Sequence, residues 1–131
     1  LYDFGGYLGL AFQLQDDYLD VYGDVAEFGK NIGGDITENK KTYLLIKALE
    51  LADAGTKAEL QAWIDKKEFN VLEKIKAVTE IYNRLGIPGL VLETIGNYLD
   101  KSRMAIQKVA VAEERKNGFY EMINFLGNRK K

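Results

Sequence analysis

The sequence contains no cysteine, no histidine and a single proline among 131 residues. Without thiols or imidazoles there are no disulfides, no zinc sites of the usual ligands, no haem ligation and no Cys or His nucleophile-base pairs. Chemistry must therefore run on carboxylates, amines, amides and hard, oxygen-ligated metals. No apolar run approaches the roughly 18 residues of a membrane-spanning helix, and no charged, apolar, then small-residue leader opens the chain. These absences predict a cytoplasmic protein without stable membrane insertion. Excess charge is lacking too: 18 basic against 20 acidic residues leave a net charge of -2. No overall field draws the chain to nucleic acid, so any anion site is local.

What is present is helical periodicity. The fold class expected is all-α, a bundle of about six helices in one domain over residues 1–131, with no repeat or linker. The first helix runs from Tyr2 to about Tyr22 and is apolar on most of its circumference, as in a helix buried inside a bundle, and Gly23 ends it. A glycine-bearing loop follows from Asp24 to Asp35. The spacing of Asp35 and Glu38 is that of a capping box, which predicts a second helix running through Tyr43 and Leu51 towards Gly55. Thr56 with Glu59 opens a short third helix, and Asn70 with Glu73 a fourth that stops at Gly86. Pro88 sits in the first turn of a fifth, reaching about Ala112, and a last helix covers Phe119 to Leu126. The chain starts at Leu1 with residues that already read as helix interior, which points to a piece of a larger bundle.

Placed at about 100° per residue, Gln13, Asp16, Asp17 and Asp20 fall within an arc of roughly 100° on the first helix, with Gly6 and Gly9 on the same stripe. Carboxylates this close repel, and a desolvated one without a partner costs several kcal/mol. The first 29 residues contain no lysine or arginine. Clustered aspartates are what Mg²⁺ selects, usually through one or two carboxylates plus water and substrate phosphate. The plainer reading is a solvated acidic helix end paired with distant lysines. Each helical glycine costs about 0.8 to 1 kcal/mol against alanine. That cost is met either by a groove for a slender apolar ligand or by close approach of another helix.

Downstream, Gly29-Lys30-Asn31-Ile32-Gly33-Gly34-Asp35 combines an amine with glycines ahead of a helix start, a combination suited to phosphate. Lys40 and Lys41 are expected in that helix's first turns, where cations oppose the dipole unless an anion lies nearby. No strand precedes the glycines and no GK[ST] follows, so this is not a Walker loop.

These residues are recognisable. Gly9-Leu-Ala-Phe12-Gln13-Leu-Gln-Asp16-Asp17-Tyr-Leu-Asp20, then Gly23-Asp24, Gly29-Lys30, Gly33-Gly34-Asp35-Ile36 and Asn39-Lys40-Lys41-Thr42 closely resemble the second conserved region of trans-prenyl diphosphate synthases, the farnesyl and geranylgeranyl diphosphate synthase family. The resemblance implies an all-α prenyltransferase fold, of which this chain is the C-terminal part, and a cavity where two aspartate-rich motifs hold Mg²⁺ on an allylic diphosphate. By the same match Asp16, Asp17 and Asp20 are the metal-binding acids, and Lys30 and Lys40 hold the leaving diphosphate. Gln13 lies near the developing allylic cation, and Phe12 lines the cavity.

The implied reaction joins the allylic diphosphate to isopentenyl diphosphate, and the implied assembly is a homodimer when full length. Arg129, Lys130 and Lys131 resemble a basic tail that in some members folds over the diphosphates; a frayed charged terminus reads equally well. The first aspartate-rich motif and the arginines that follow it are missing from this sequence. A class I terpene cyclase shares the implied fold, but its second motif is typically Asn-Ser/Thr-Glu. A non-catalytic partner subunit often loses the acids or the loop lysine retained here.

Overall fold

The computed structural model describes residues 2–23, 32–107 and 113–128. Among these the chain is all-α, as expected, with seven helices and no strand: α1 (Tyr2–Tyr22), α2 (Gly34–Thr37), α3 (Tyr43–Leu51), α4 (Ala54–Asp65), α5 (Val71–Arg84), α6 (Ile87–Gln107) and α7 (Glu113–Gly127). Seven appear rather than six because the expected second helix is broken in two. Asn39 takes a left-handed conformation at φ 57 and stops α2. The chain restarts at Thr42, whose hydroxyl oxygen accepts from the Leu45 amide at 3.2 Å. A threonine oxygen in that position satisfies an amide left open at a helix start, so Thr42 is the true N-cap. The Asp35–Glu38 capping box does not form: Gly33 occupies the cap of α2 at φ 93, with no side-chain cap.

The remaining helix boundaries lie closer to their sequence signals. Asn70 caps α5 by accepting from the Glu73 amide at 3.0 Å, and Gly86 at φ 72 makes the turn out of α5 that residues with a Cβ rarely adopt. The cap of α4 is Asp53, three residues ahead of the expected Thr56; its carboxylate accepts from the Thr56 amide at 2.7 Å. Residues 108–112, to which the fifth helix was expected to extend, lie outside the described residues.

The chain packs as two compact units. In the first, residues 2–16 with 92–107 and 113–128, the apolar core includes Leu8, Leu14, Ile95, Leu99, Ile106, Ile123 and Leu126. The Phe4 and Phe119 rings meet at 4.8 Å between centroids. The buried Gln15 side chain donates to the Leu126 carbonyl, satisfying one of the acceptors left open at the end of α7. Burial of α1 is one-sided: Leu10 and Phe12 are 43% and 46% exposed, and Gly5, Gly6 and Gly9 are exposed beside them. Among the described residues α1 is therefore only partly covered, with nothing within 4 Å of a Cβ built at Gly5, Gly6 or Gly9.

In the second unit, residues 17–23 with 32–91, α5 is the central element and packs against α2, α3 and α4. Leu44, Ala48, Leu60, Val78 and Ile81 form its apolar centre, each large side chain contributing about 1.5 to 3 kcal/mol by leaving water. No helix among the described residues is long and apolar enough to cross a membrane.

Candidate functional site

The second unit gathers the end of α1 and the segment from α2 to Thr42 around one cluster of charges. Asp17 and Asp20 are each 9% exposed on the last turns of α1. Asp20 accepts from the Asp35 amide through Oδ2 at 2.8 Å, and its own carbonyl accepts from the Gly33 amide at 2.6 Å. The two bonds fasten the start of α2 to the end of α1. Gly33 is needed there twice over, by its positive φ and because a Cβ would stand 2.8 Å from the Ile75 side chain.

At the start of α2 the Asp35 amide is thus taken by a protein carboxylate, while residues 29–31 of the expected phosphate loop lie outside the described residues. Lys40 and Lys41 are not in the first turns of a helix; they lie between α2 and α3, and the argument from an opposed helix dipole does not apply to them.

Lys40 nevertheless reaches the acids. Its Nζ stands 3.9 Å from Asp17 Oδ1 and 4.0 Å from Asp35 Oδ1, while its own side chain is 59% exposed. At these distances the ammonium is near both carboxylates without the close contact of a tight pair, and its exposure leaves it accessible to a further anion. Asp35 was expected as a helix cap; it is instead a member of this charge cluster.

Asp16 lies on the same helix, one residue before Asp17, and is exposed, so the desolvation argument holds for Asp17 and Asp20 but not for Asp16. Gln13 and Phe12 are exposed one turn earlier on α1. Among the described residues nothing lies within 4 Å of a Cβ built at Gly6 or Gly9, and no three acidic side chains converge as a metal-binding group. Lys30, like Gly29, and the basic residues Arg129, Lys130 and Lys131 lie outside the described residues.

A small cleft opens beside the cluster, lined by Asp35, Asn39, Lys40, Thr42, Lys74 and Tyr82 among others. Burial pushes the Tyr82 phenol up strongly, helped by the neighbouring Tyr22 and Asp35 charges. The Tyr22 phenol is pushed up to about 12 by burial and by Tyr18, and it donates to Asn83 Oδ1 at 2.8 Å. Lys74, 1% exposed, has its amine pushed down by burial. Lys74 carries a sequence signal of its burial: it stands four residues before Val78 and seven before Ile81, a spacing that puts it on the buried face of α5.

Comparison with known proteins places the chain in a class. The family model described as polyprenyl synthetase matches residues 1–82, and the chain belongs to that family. More particularly, a short chain isoprenyl diphosphate synthase of Methanothermobacter thermautotrophicus is 38% identical over 115 residues, covering 87% of this chain and 33% of that protein. Among solved structures, a geranylgeranyl pyrophosphate synthase superposes with a TM-score of 0.86 at 38% identity over 99% of this chain and 41% of the other. The Corynebacterium glutamicum geranylgeranyl pyrophosphate synthase complexed with isoprenyl diphosphate and magnesium gives a TM-score of 0.86 at 29% identity, covering 99% of this chain and 37% of the other. The chain thus spans about a third of the curated relative it matches.

Proposed function

We propose that this chain is the C-terminal part of a trans-prenyl diphosphate synthase and contributes one wall of its metal and diphosphate site. The observation that carries the reading is the Lys40 ammonium, 3.9 Å from Asp17 and 4.0 Å from Asp35, beside the acidic end of α1. An amine flanking a row of carboxylates suits a diphosphate bridged to them by divalent cations. The donor set is compatible with Mg²⁺. Asp16, Asp17 and Asp20 are hard oxygen donors at positions i, i+1 and i+4 of one helix, and Mg²⁺ needs only one or two protein carboxylates when phosphates and water complete its shell.

In this reading Asp16 and Asp20 lie closest to the metal, with Asp17 between them. When bound, Mg²⁺ draws charge from the departing diphosphate of the allylic substrate. Lys40, and Lys30 by the family resemblance, would hold that diphosphate, an electrostatic effect aimed at charge that develops as the allylic bond breaks. Gln13 faces the developing allylic cation, and Phe12 lines the path of the prenyl tail. The exposed stripe of Gly6 and Gly9 gives the tail room, since no described side chain stands near either position. The acceptor substrate is isopentenyl diphosphate, the setting cytoplasmic, and the full-length assembly a homodimer.

Calorimetric titration of the purified protein with inorganic diphosphate, with and without Mg²⁺, tests this. Binding should require Mg²⁺ and be lost in Asp16→Ala; unchanged binding in that variant removes the metal site. The 131-residue chain by itself should not elongate prenyl diphosphates, because the first aspartate-rich motif is not in its sequence. Turnover of allylic and isopentenyl diphosphates by that chain alone would show the site to be complete without it.

A further inference from the structure

A lysine buried to 1% exposure is uncommon, because an ammonium removed from water must be compensated. Lys74 is compensated from three directions. Its Nζ donates to Asn39 Oδ1 at 2.7 Å and reaches the Thr37 carbonyl at 3.5 Å. It also lies 4.2 Å from the centroid of the Phe69 ring, within cation-π range.

Asn39 is held on its other side as well, since its Nδ2 donates to the Ile64 carbonyl at 3.1 Å, near the end of α4. Its amide therefore joins α5 to α4 across the break between α2 and α3. That break depends on Asn39: asparagine tolerates φ 57 better than most residues, but a side-chain amide used on both ends fixes the turn further. The next residue is Lys40. Its backbone amide donates to the Asp35 carbonyl at 2.9 Å, and its side chain starts from a backbone set by the Asn39 turn.

We infer that Lys74 is a positioning residue for the anion site: through Asn39 it fixes the left-handed turn that sets the Lys40 ammonium beside Asp17 and Asp35. The inference rests on the proposed diphosphate reading of Lys40, and it concerns a residue that touches neither metal nor substrate. A purely structural lysine would stabilise the fold without caring what Lys40 does. A positioning lysine acts through Lys40, so its removal matters only while that amine is present.

The test is a double-mutant cycle read by calorimetric affinity for inorganic diphosphate in Mg²⁺. Lys74→Met keeps the chain length and the packing on Phe69 while removing the donor. It should weaken binding about tenfold in the wild-type background and less than about twofold when Lys40→Gln is already present, the coupling expected of groups in one network. Asn39→Gly keeps the left-handed backbone available and removes the amide. It should weaken binding as Lys74→Met does, at some cost in melting temperature because the buried ammonium loses an acceptor, and it decides the matter if Lys74→Met does not fold. Lys74→Arg should restore part of the lost affinity. Equal losses from Lys74→Met in both backgrounds would make the residue structural only and overturn the inference. So would full affinity in Asn39→Gly. If Lys40→Gln itself binds diphosphate as tightly as wild type, the diphosphate reading of Lys40 fails first and takes the inference with it.

Discussion

The two units bury polar groups in opposite ways. Among the described residues, the first hides two neutral side chains and gives each a backbone carbonyl: Gln15 donates to Leu126, and Ser102 to Tyr98 at 3.1 Å. The second hides three charged side chains, Asp17, Asp20 and Lys74, and matches them with amides, an amine and a carboxamide from other segments. The Gln15 bond serves a helix end, and the Ser102 bond closes on the carbonyl one turn earlier within α6. Charges are costly to desolvate and are kept where they do something that a hydrophobic residue of similar size does not. The difference puts the buried charges in the second unit, while the exposed Asp16, Gln13 and Phe12 belong to the first.

The largest expected effect breaks this contrast directly. Asp20→Ala removes a donor oxygen and leaves the Asp35 amide without its acceptor, so Mg²⁺-dependent diphosphate affinity should fall at least about 100-fold, or about 2.7 kcal/mol. Gln15→Met in the other unit orphans a carbonyl instead. It should lower stability by about 1 to 3 kcal/mol while leaving diphosphate affinity within about twofold. Calorimetry beside thermal melts of both variants decides the matter. A Gln15→Met protein that loses affinity as Asp20→Ala does would show that the neutral buried pairs support diphosphate binding as much as the buried charges do.

How legible each unit was follows from the same difference. The motif Asp16-Asp17-Tyr-Leu-Asp20 was readable because its spacing repeats a helix face, and so were the Asn70 cap of α5 and the turn at Gly86, which depend on neighbours three or four residues away. The break at Asn39 was not readable. It depends on Lys74 and Ile64, 35 and 25 residues distant, and local spacing favoured a continuous helix from Asp35. The same long-range contacts placed Lys40 between helices rather than in a first turn. A separate long-range contact takes the Asp35 amide to Asp20, an outcome invisible to a rule that pairs Asp35 with Glu38. Exposure of Leu10 and Phe12 escaped the reading for a different reason: periodicity shows that a helix has apolar faces, not which of them this chain covers.

The smaller effect sharpens the contrast through pH. Tyr82 is 3% exposed, and its phenol is pushed well above the ordinary 10.0 chiefly by burial; Tyr22 is pushed up to about 12, again chiefly by burial. In the unfolded chain both ionise near their ordinary value, whereas the folded second unit keeps them protonated. Between pH 10.0 and about 12 the native state therefore holds more protons than the unfolded one, and stability falls as pH rises. The stabilisation is fully present below pH 10.0 and disappears as pH passes through the folded values. Tyr82→Phe should flatten this alkaline loss by up to about one proton's worth of slope, with little change at neutral pH. Denaturant unfolding at a series of pH values, paired with amide exchange in α5, checks it. An unaltered slope in Tyr82→Phe would mean that the buried phenol ionises at its ordinary value in the folded chain.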